Sequence, residues 1–356
     1  MLYNIKRNKL TKSPNPDRNK KSVIRKLLKY FLIGFGSLIV LILIFIGWIY
    51  LSYFWGPDAS EINDSHPFRS ERTREKYLEF YDARAKEWPF DTEERMVSTS
   101  YGQTFVRING PTDAPPMVLL PGGGTPSLMW VKNIEALSED YRTYALDYIY
   151  DWGRSIYTRS VNTPEDLAKW LDELFTALEL KENINLVGYS YGGWVASQYL
   201  LTYPNRLNKV VLASPAYTVF PSITELEKKA LIGFIPHKSF MRRSLYWACE
   251  DMVQTEKGRE IAENMLDAHR LAIRCFKTKM PARMTVLSDD ELQSIIVPVL
   301  YLAGENEIMY SVNDAVKRLN KLAPDIKTKI VSNTGHCLIF TDPEIVSEKI
   351  LDFLNH

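Results

Sequence analysis

A serine lies at the centre of a G-x-S-x-G pentapeptide, residues 188–192, between an apolar run and a helical pattern. This spacing is typical of a nucleophile elbow, a tight strand-to-helix turn on which Ser190 stands clear of both elements. Gly188 and Gly192 allow such a crossing because they have no Cβ. A small-residue turn without chemistry is the alternative that the pentapeptide alone leaves open.

Acyl transfer at this serine would also require backbone amides that stabilise an oxyanion. The apolar run 117–120 ends at Pro121 and three glycines, a strand-to-glycine break suited to that role. We predict that the oxyanion hole is formed by the amides of Gly123 and Tyr191. The three glycines could equally form only a flexible turn.

An acid and a base follow two later apolar runs. The run 297–303 is strand-like and precedes two carboxylates, Glu305 and Glu307, whereas the run 327–331 precedes His336. The C-terminal ends of parallel strands collect at one edge of a sheet, where catalytic groups gather. We therefore predict a triad of Ser190, Glu307 and His336.

These residue types suit one reaction. A serine hydroxyl is a poor nucleophile until a base takes its proton, and an imidazole, with an ordinary pKa of about 6.5, can do so near neutral pH. A carboxylate holds the imidazole in the correct tautomer and stabilises the imidazolium. The predicted chemistry is hydrolysis through an acyl-serine intermediate.

The chain resembles the α/β-hydrolase superfamily, in which the nucleophile, acid and base follow in this order. Within it, the chain is similar to the bacterial carboxylesterases that include the naproxen-type esterases of bacilli. The resemblance runs over residues 70–354 and includes EKYLEFYD at 75–82, GENEIMY at 304–310 and Gly-His at 335–336.

The resemblance implies a nucleophile at Ser190, a base at His336 and an acid at Glu307. The superfamily more often has an aspartate as the acid, whereas a glutamate is expected in this esterase group. Pro121 is a second departure, because the oxyanion loop usually opens with His-Gly. It removes a side chain but leaves the amide of Gly123.

A run of 28 residues without charge, 30–57, is rich in Leu, Ile, Val and Phe. A bilayer core of about 30 Å needs only about 20 helical residues. We predict a transmembrane helix over 30–57, an uncleaved signal anchor rather than a signal peptide, because no small-residue cleavage site follows.

Charge is distributed unevenly about this run. Residues 1–29 contain ten Lys or Arg and one acid, a net charge of +9, whereas the remainder contains 34 basic and 42 acidic residues, a net charge of −8. The positive-inside rule predicts that residues 1–29 are cytoplasmic and that the catalytic domain is extracytoplasmic at the cell membrane. A nucleic-acid-binding arm is the competing interpretation, but the adjacent span argues against nucleic acid as a partner.

After a linker and N-terminal helix at 58–92, residues 93–356 read as one α/β-hydrolase domain. Strands and helices alternate, which predicts an α/β fold with a mostly parallel sheet and helices on both faces. The predicted strands are 95–98, 104–108, 117–120, 143–148, 184–188, 209–213, 297–303 and 327–331; the helices are 71–87, 164–178, 191–202, 312–322 and 343–354.

Residues 217–296 interrupt this alternation and read as several helices. In the superfamily such an insertion is a cap over the active site, and we define it here as the cap segment. Seven of its large side chains could line a substrate pocket or could hold the segment's own core together: Phe220, Phe234, Phe240, Met241, Tyr246, Trp247 and Phe276.

The remaining motifs predict no cofactor and no metal. The three cysteines have no metal spacing and imply no disulfide framework, so we predict that Cys337 is a small packing residue. No dinucleotide or phosphate-binding glycine motif is present. We interpret Asp147, Asp151 and residues 153–155 as structural.

The sequence thus predicts a membrane-anchored serine hydrolase that acts on small-molecule carboxylic esters. Lysophospholipase, peptidase and carbon-carbon hydrolase activities stay open, because a triad fixes chemistry and not substrate. A non-catalytic receptor for a small ligand is the alternative outside the enzymes.

Overall fold

The computed structural model describes residues 16–54, 67–221, 233, 237–277, 282 and 284–356. The chain divides into two compact units, Met1–Ser52 and Tyr53–His356.

A single long helix, α1 (Pro16–Phe54), dominates the first unit. Its segment Ile24–Phe45 has a mean hydropathy of 2.4 and no buried side chains, so by length and composition it could cross a membrane or serve as a signal sequence. The helix begins inside the predicted basic segment, since Lys and Arg are good helix formers. Residues 55–57 of the predicted span lie outside the described residues.

The second unit is built on one sheet that has nine strands among the described residues. Its order is β1-β2-β4-β3-β6-β7-β8-β9, with β5 paired to β2. Strands β3, β4 and β6 to β9 pair in parallel, whereas β1, β2 and β5 are antiparallel. The strands are β1 (Glu93–Thr99), β2 (Gly102–Asn109), β3 (Pro116–Leu120), β4 (Arg142–Leu146), β5 (Ile156–Tyr157), β6 (Ile184–Tyr189), β7 (Leu207–Ala213), β8 (Val299–Gly304) and β9 (Lys327–Val331).

All eight strands expected from the sequence are present, and the predicted α/β-hydrolase class is confirmed. Strand β5 was not predicted, because two residues are too few to show a periodicity. The inner strands read as continuous apolar runs because helices cover both faces. In β3, Met117 and Leu119 belong to one buried cluster and Val118 and Leu120 to the other.

The helices of this unit form the two outer layers. Helices α4, α5 and α9 cover one face of the sheet, and α2, α3 and α11 cover the other. The helices are α2 (Glu71–Ala85), α3 (Ile134–Asp140), α4 (Pro164–Ala177), α5 (Tyr191–Thr202), α6 (Lys238–Ala248), α7 (Glu256–Cys275), α8 (Asp289–Gln293), α9 (Val312–Leu322), α10 (Leu338–Thr341) and α11 (Pro343–Asn355), with 3-10 helices at Ser127–Lys132, Pro204–Arg206 and Met252–Gln254.

Side-chain caps fix where several of these helices begin. Ser70 and Thr73 form a capping box at α2, and Thr163 and Asp166 form one at α4, where Pro164 is the first helical residue. Each cap satisfies amides that have no partner inside the helix. The short α3 carried no such signal in the sequence, and its Asn133 N-cap makes no side-chain cap.

Between β7 and β8 the described part of the cap segment is helical. Helices α6, α7 and α8 lie here, whereas residues 222–232, 234–236, 278–281 and 283 are outside the described residues. Helix α7 packs on α2 through its C-terminal neighbour Phe276, whose ring lies 4.6 Å from that of Tyr77 in an edge-on arrangement. Helix α2 thereby packs against the cap segment.

Candidate active site

Ser190 occupies the turn between β6 and α5 with φ +51° and ψ −114°. A non-glycine residue rarely adopts a positive φ, and such strain persists only where surrounding contacts impose it. The Ser190 amide donates to the carbonyl of Ala213 at 2.9 Å, and its carbonyl accepts from the amides of Gly193 and Ala216 at 3.0 and 3.1 Å. These three hydrogen bonds fix the serine backbone to the end of β7, to the segment that follows β7 and to the first turn of α5.

Two glycines make the elbow sterically possible. A Cβ on Gly188 would lie 2.2 Å from the carbonyl oxygen of Gly192. A Cβ on Gly192 would lie 2.4 Å from the carbonyl oxygen of Leu120 and 2.5 Å from that of Pro121. Since these are backbone atoms that cannot move aside, the pentapeptide needs glycine at both positions.

The three residues predicted for the triad come together at the C-terminal edge of the sheet. Nε2 of His336 lies 3.0 Å from Oγ of Ser190, and Nδ1 lies 2.7 Å from Oε2 of Glu307. His336 is 5% exposed, and the Glu307 side chain is fully buried. A continuous hydrogen-bonded chain therefore runs from a buried carboxylate through the imidazole to the hydroxyl.

The local backbone distinguishes the two carboxylates that follow β8. Oε1 of Glu307 accepts from the amide of Met309 at 3.0 Å, which leaves Oε2 for His336. Glu305 is exposed and accepts instead from the amide of Asn333 at 3.1 Å. Only Glu307 reaches the imidazole.

The histidine loop is anchored to the strand that carries the serine. The Tyr189 hydroxyl donates to the His336 carbonyl at 3.0 Å, and the two rings lie 5.5 Å apart. Burial raises the pKa of Tyr189 far above its ordinary value, so this hydroxyl stays a donor.

The predicted oxyanion residues also adjoin each other. A Cβ on Gly123 would lie 3.4 Å from Cβ of Tyr191, which is the first residue of α5 and follows Ser190. Strand β3 pairs with β6 up to Leu120 opposite Gly188, so the glycine loop, residues 121–126, and the elbow leave the sheet side by side. The two predicted donor residues therefore lie beside each other next to the elbow.

A cavity of about 710 Å³ opens beside Gly123 and Gly124. Its wall is mainly apolar and comes from α2, from α10, from the cap segment and from the segments that follow β3, β4 and β8. The lining includes Phe80, Leu128, Met129, Trp152, Met241, Trp247, Ile261, Met265, Met309 and Phe340. His269 also lines it, with its ring edge-on to Trp152 at 4.5 Å. Burial lowers the pKa of His269 to about 4, so this imidazole is neutral at neutral pH.

Of the seven side chains proposed for a pocket, Met241 and Trp247 line this cavity. Phe276 instead packs on Phe68 and Tyr77. The other described members also point elsewhere: Phe240 is 45% exposed, Tyr246 donates to Glu263, and Phe220 packs on the main core. Phe234 lies outside the described residues.

The prediction that Cys337 is only a packing residue was wrong. Cys337 forms a disulfide with Cys249, which ends α6, while Cys275 is free and buried. The partners are 88 residues apart in the chain, and no spacing rule could have paired them. The disulfide joins the cap segment covalently to the residue after His336.

The aspartates that follow β4 make specific contacts. Asp147 is fully buried and accepts from the Tyr81 hydroxyl and from the amides of Ser127 and Arg154, while burial raises its pKa. Asp151 accepts from the amide of Gly124 in the glycine loop at 2.5 Å. The position of Asp151 at the functional edge of the sheet was the only sequence signal for this contact.

Comparisons with known proteins assign the chain to a family. Residues 117–349 match the model of an α/β-hydrolase family. The chain is 35% identical over 299 residues to the carboxylesterase YbfK of Bacillus subtilis, covering 82% of this chain and 98% of that protein. It is 32% identical to the uncharacterized carboxylesterase nap of the same species, covering 79% of this chain and 92% of that protein.

A solved structure is similar over most of this chain. The crystal structure of naproxen esterase from Bacillus subtilis superposes with a TM-score of 0.73 at 32% identity, covering 83% of this chain and 100% of that one. The chain belongs to the α/β-hydrolase family, and its similarity to carboxylesterases identifies it as an esterase-like hydrolase of that family.

Proposed function

We propose that the protein is a serine carboxylesterase in which Ser190 is the nucleophile, His336 the general base and Glu307 the acid of the triad. The observation that carries this proposal is the unbroken series of hydrogen bonds from Glu307 Oε2 to His336 Nδ1 and from His336 Nε2 to Ser190 Oγ. The similarity to carboxylesterases supports the same reaction class.

In the proposed reaction, Ser190 Oγ attacks the ester carbonyl as His336 Nε2 takes the hydroxyl proton. The carbonyl oxygen becomes an oxyanion, which the amides of Gly123 and Tyr191 stabilise by about 3 to 4 kcal/mol for each donor. His336 then gives its proton to the leaving alcohol, and an acyl-serine remains. A water molecule, deprotonated by His336, releases the carboxylic acid and restores Ser190.

The same proposal places a small-molecule ester in the cavity beside Gly123. Its mainly apolar wall favours a hydrophobic acyl or alcohol group, because burying such a group contributes about 25 cal/mol for each Å² removed from water. Helices α6 and α7 supply part of that wall. We accordingly propose that residues 217–296 are a cap, inserted in a hydrolase domain over residues 93–356.

We further propose that residues 30–57 anchor the protein in the cell membrane with the hydrolase domain outside. The apolar segment Ile24–Phe45 and the +9 charge of residues 1–29 support this orientation. The disulfide Cys249–Cys337 also supports it, because such bonds persist mainly in oxidising compartments. A reporter enzyme fused after residue 356 should be active only outside the cytoplasm, and activity confined to the cytoplasm would refute the orientation.

The hydrolase proposal is tested with the full chain in mild detergent and short-chain p-nitrophenyl esters. We expect turnover by the native protein and its loss in Ser190→Ala, which retains the fold but lacks the nucleophile. Equal rates for the two proteins would refute the proposal. A lysophospholipid and a chromogenic peptide in the same series test the lysophospholipase and peptidase alternatives. Tight ligand binding without any turnover would instead support a receptor.

A further inference from the structure

The glycine loop, residues 121–126, has its amides held on both sides of Gly123. The amide of Gly122 donates to Sδ of Met129 at 3.1 Å, and the amide of Gly124 donates to Oδ2 of Asp151 at 2.5 Å. Within the described part of the chain, the Gly123 amide between them has no acceptor. The loop therefore fixes the amides of Gly122 and Gly124 and leaves the Gly123 amide without a partner among the described residues.

Both carboxylate oxygens of Asp151 accept hydrogen bonds from backbone amides. Its second oxygen, Oδ1, accepts from the amide of Trp152 at 2.8 Å, which fixes the carboxylate in position. The Trp152 ring meets the loop from another side, because a Cβ on Gly124 would lie 3.2 Å from it. Gly124 has φ +71° and so a conformation that few other residues adopt. Carboxylate and indole together impose that conformation.

Ionising the Asp151 carboxyl costs free energy, and this cost indicates a functional role. Among the described residues no cation pairs with Asp151. Burial, aided by the charge of nearby Asp147 and offset by the two amides, raises the pKa of Asp151 to about 6. A carboxylate that is expensive to ionise and adjoins an active site is a candidate for function rather than for stability.

We propose that Asp151 is a positioning residue for the oxyanion hole. Its carboxylate binds the Gly124 amide and so orients the peptide unit that joins Gly123 to Gly124. The Gly123 amide is left to meet the oxyanion. This inference rests on the proposed esterase function. It assigns Asp151 no contact with the substrate, because the carboxylate acts through the loop backbone.

The test compares Asp151→Asn with Asp166→Asn in the full chain. Asparagine has one acceptor oxygen for two amides, and misplacement of a catalytic group by about 1 Å can cost about a hundredfold in rate. We expect kcat to fall by about ten- to a hundredfold in Asp151→Asn. We expect KM to change by less than about threefold, because ground-state binding does not use the oxyanion donors. The inhibition constant of a trifluoromethyl ketone, which forms an oxyanion on Ser190, should rise by the same factor as kcat falls.

The control separates positioning from folding. Asp166 caps α4 and accepts from the amides of Asn162 and Thr163, so Asp166→Asn should lower Tm and leave kcat unchanged. Asp151→Asn should show the reverse, with Tm equal to or above that of the native chain. Loss of Tm in Asp151→Asn, with unchanged affinity for the ketone, would make Asp151 structural and overturn the inference.

Hydrogen–deuterium exchange gives a readout that does not depend on turnover. Peptides that cover residues 121–126 should exchange faster in Asp151→Asn and at the native rate in Asp166→Asn. Unchanged exchange in Asp151→Asn would overturn the inference even if no substrate were turned over. If Ser190→Ala is inactive while Asp151→Asn keeps its native kcat, only this inference fails and the esterase proposal stands.

Discussion

Replacing Glu307 by glutamine tests the triad most directly, because the structure fixes how the new amide must orient. The Met309 amide donates to Oε1 of Glu307, so in Glu307→Gln it should keep the new carbonyl oxygen. The NH₂ group then faces Nδ1 of His336, where the carboxylate now accepts at 2.7 Å. Two donors cannot share that contact, and the imidazole proton must move to Nε2.

The consequence for catalysis follows from the tautomer. With its proton on Nε2, His336 donates to Ser190 Oγ and cannot accept the hydroxyl proton. Loss of the correct tautomer in a serine triad costs about a thousandfold to ten-thousandfold in kcat, equivalent to about 4 to 5.5 kcal/mol of transition-state stabilisation. The fully buried side chain of Glu307 gives water no path to replace the lost acceptor.

The assay measures kcat and KM for a p-nitrophenyl ester with matched variants. Glu305→Gln removes the neighbouring carboxylate, which is exposed and accepts from Asn333 rather than from the triad, so its kcat should stay within about twofold of native. Thermal unfolding of Glu307→Gln should show a folded protein. A kcat within tenfold of native for Glu307→Gln would refute the role assigned to this carboxylate.

Three further predictions concern stability. The double variant Cys249→Ala/Cys337→Ala should lose about 2 to 5 kcal/mol of unfolding free energy, because the disulfide closes a loop of 88 residues, and an unchanged Tm would contradict this. Gly192→Ala should abolish folding or activity because its Cβ would lie 2.4 Å from a backbone oxygen, whereas Gly34→Ala, with no atom within 4 Å, should be tolerated in expression and activity assays. Burial raises the pKa of Asp151 to about 6, so this group's stabilising contribution is complete below about pH 4 and falls by about 3 kcal/mol as pH rises through 6. In urea unfolding at pH 4.5 and 7.5, the native chain should show this loss of unfolding free energy with rising pH, and Asp151→Asn should not. An identical loss in both proteins would contradict the assignment.

Strong local patterns made much of the fold predictable. Helix α5 occupies the predicted residues 191–202, and the strands that carry the site end where their apolar runs end. Apolar continuity identified the inner strands because both faces of the sheet are buried. The two-residue β5 was missed because it forms only through pairing with β2, a contact that no local pattern encodes.

The sequence by itself indicated the elbow through Gly188 and Gly192, where a Cβ would meet backbone atoms, and it gave the order of Ser190, Glu307 and His336, the proposed nucleophile, acid and base. Only the tertiary structure decided which of two neighbouring carboxylates meets His336, because that choice depends on the Met309 amide and the loop after β8. It also decided the Cys249–Cys337 pairing and the contact of Asp151 with the glycine loop. These contacts join segments distant in sequence, so their geometry exists only once the sheet and cap segment have come together.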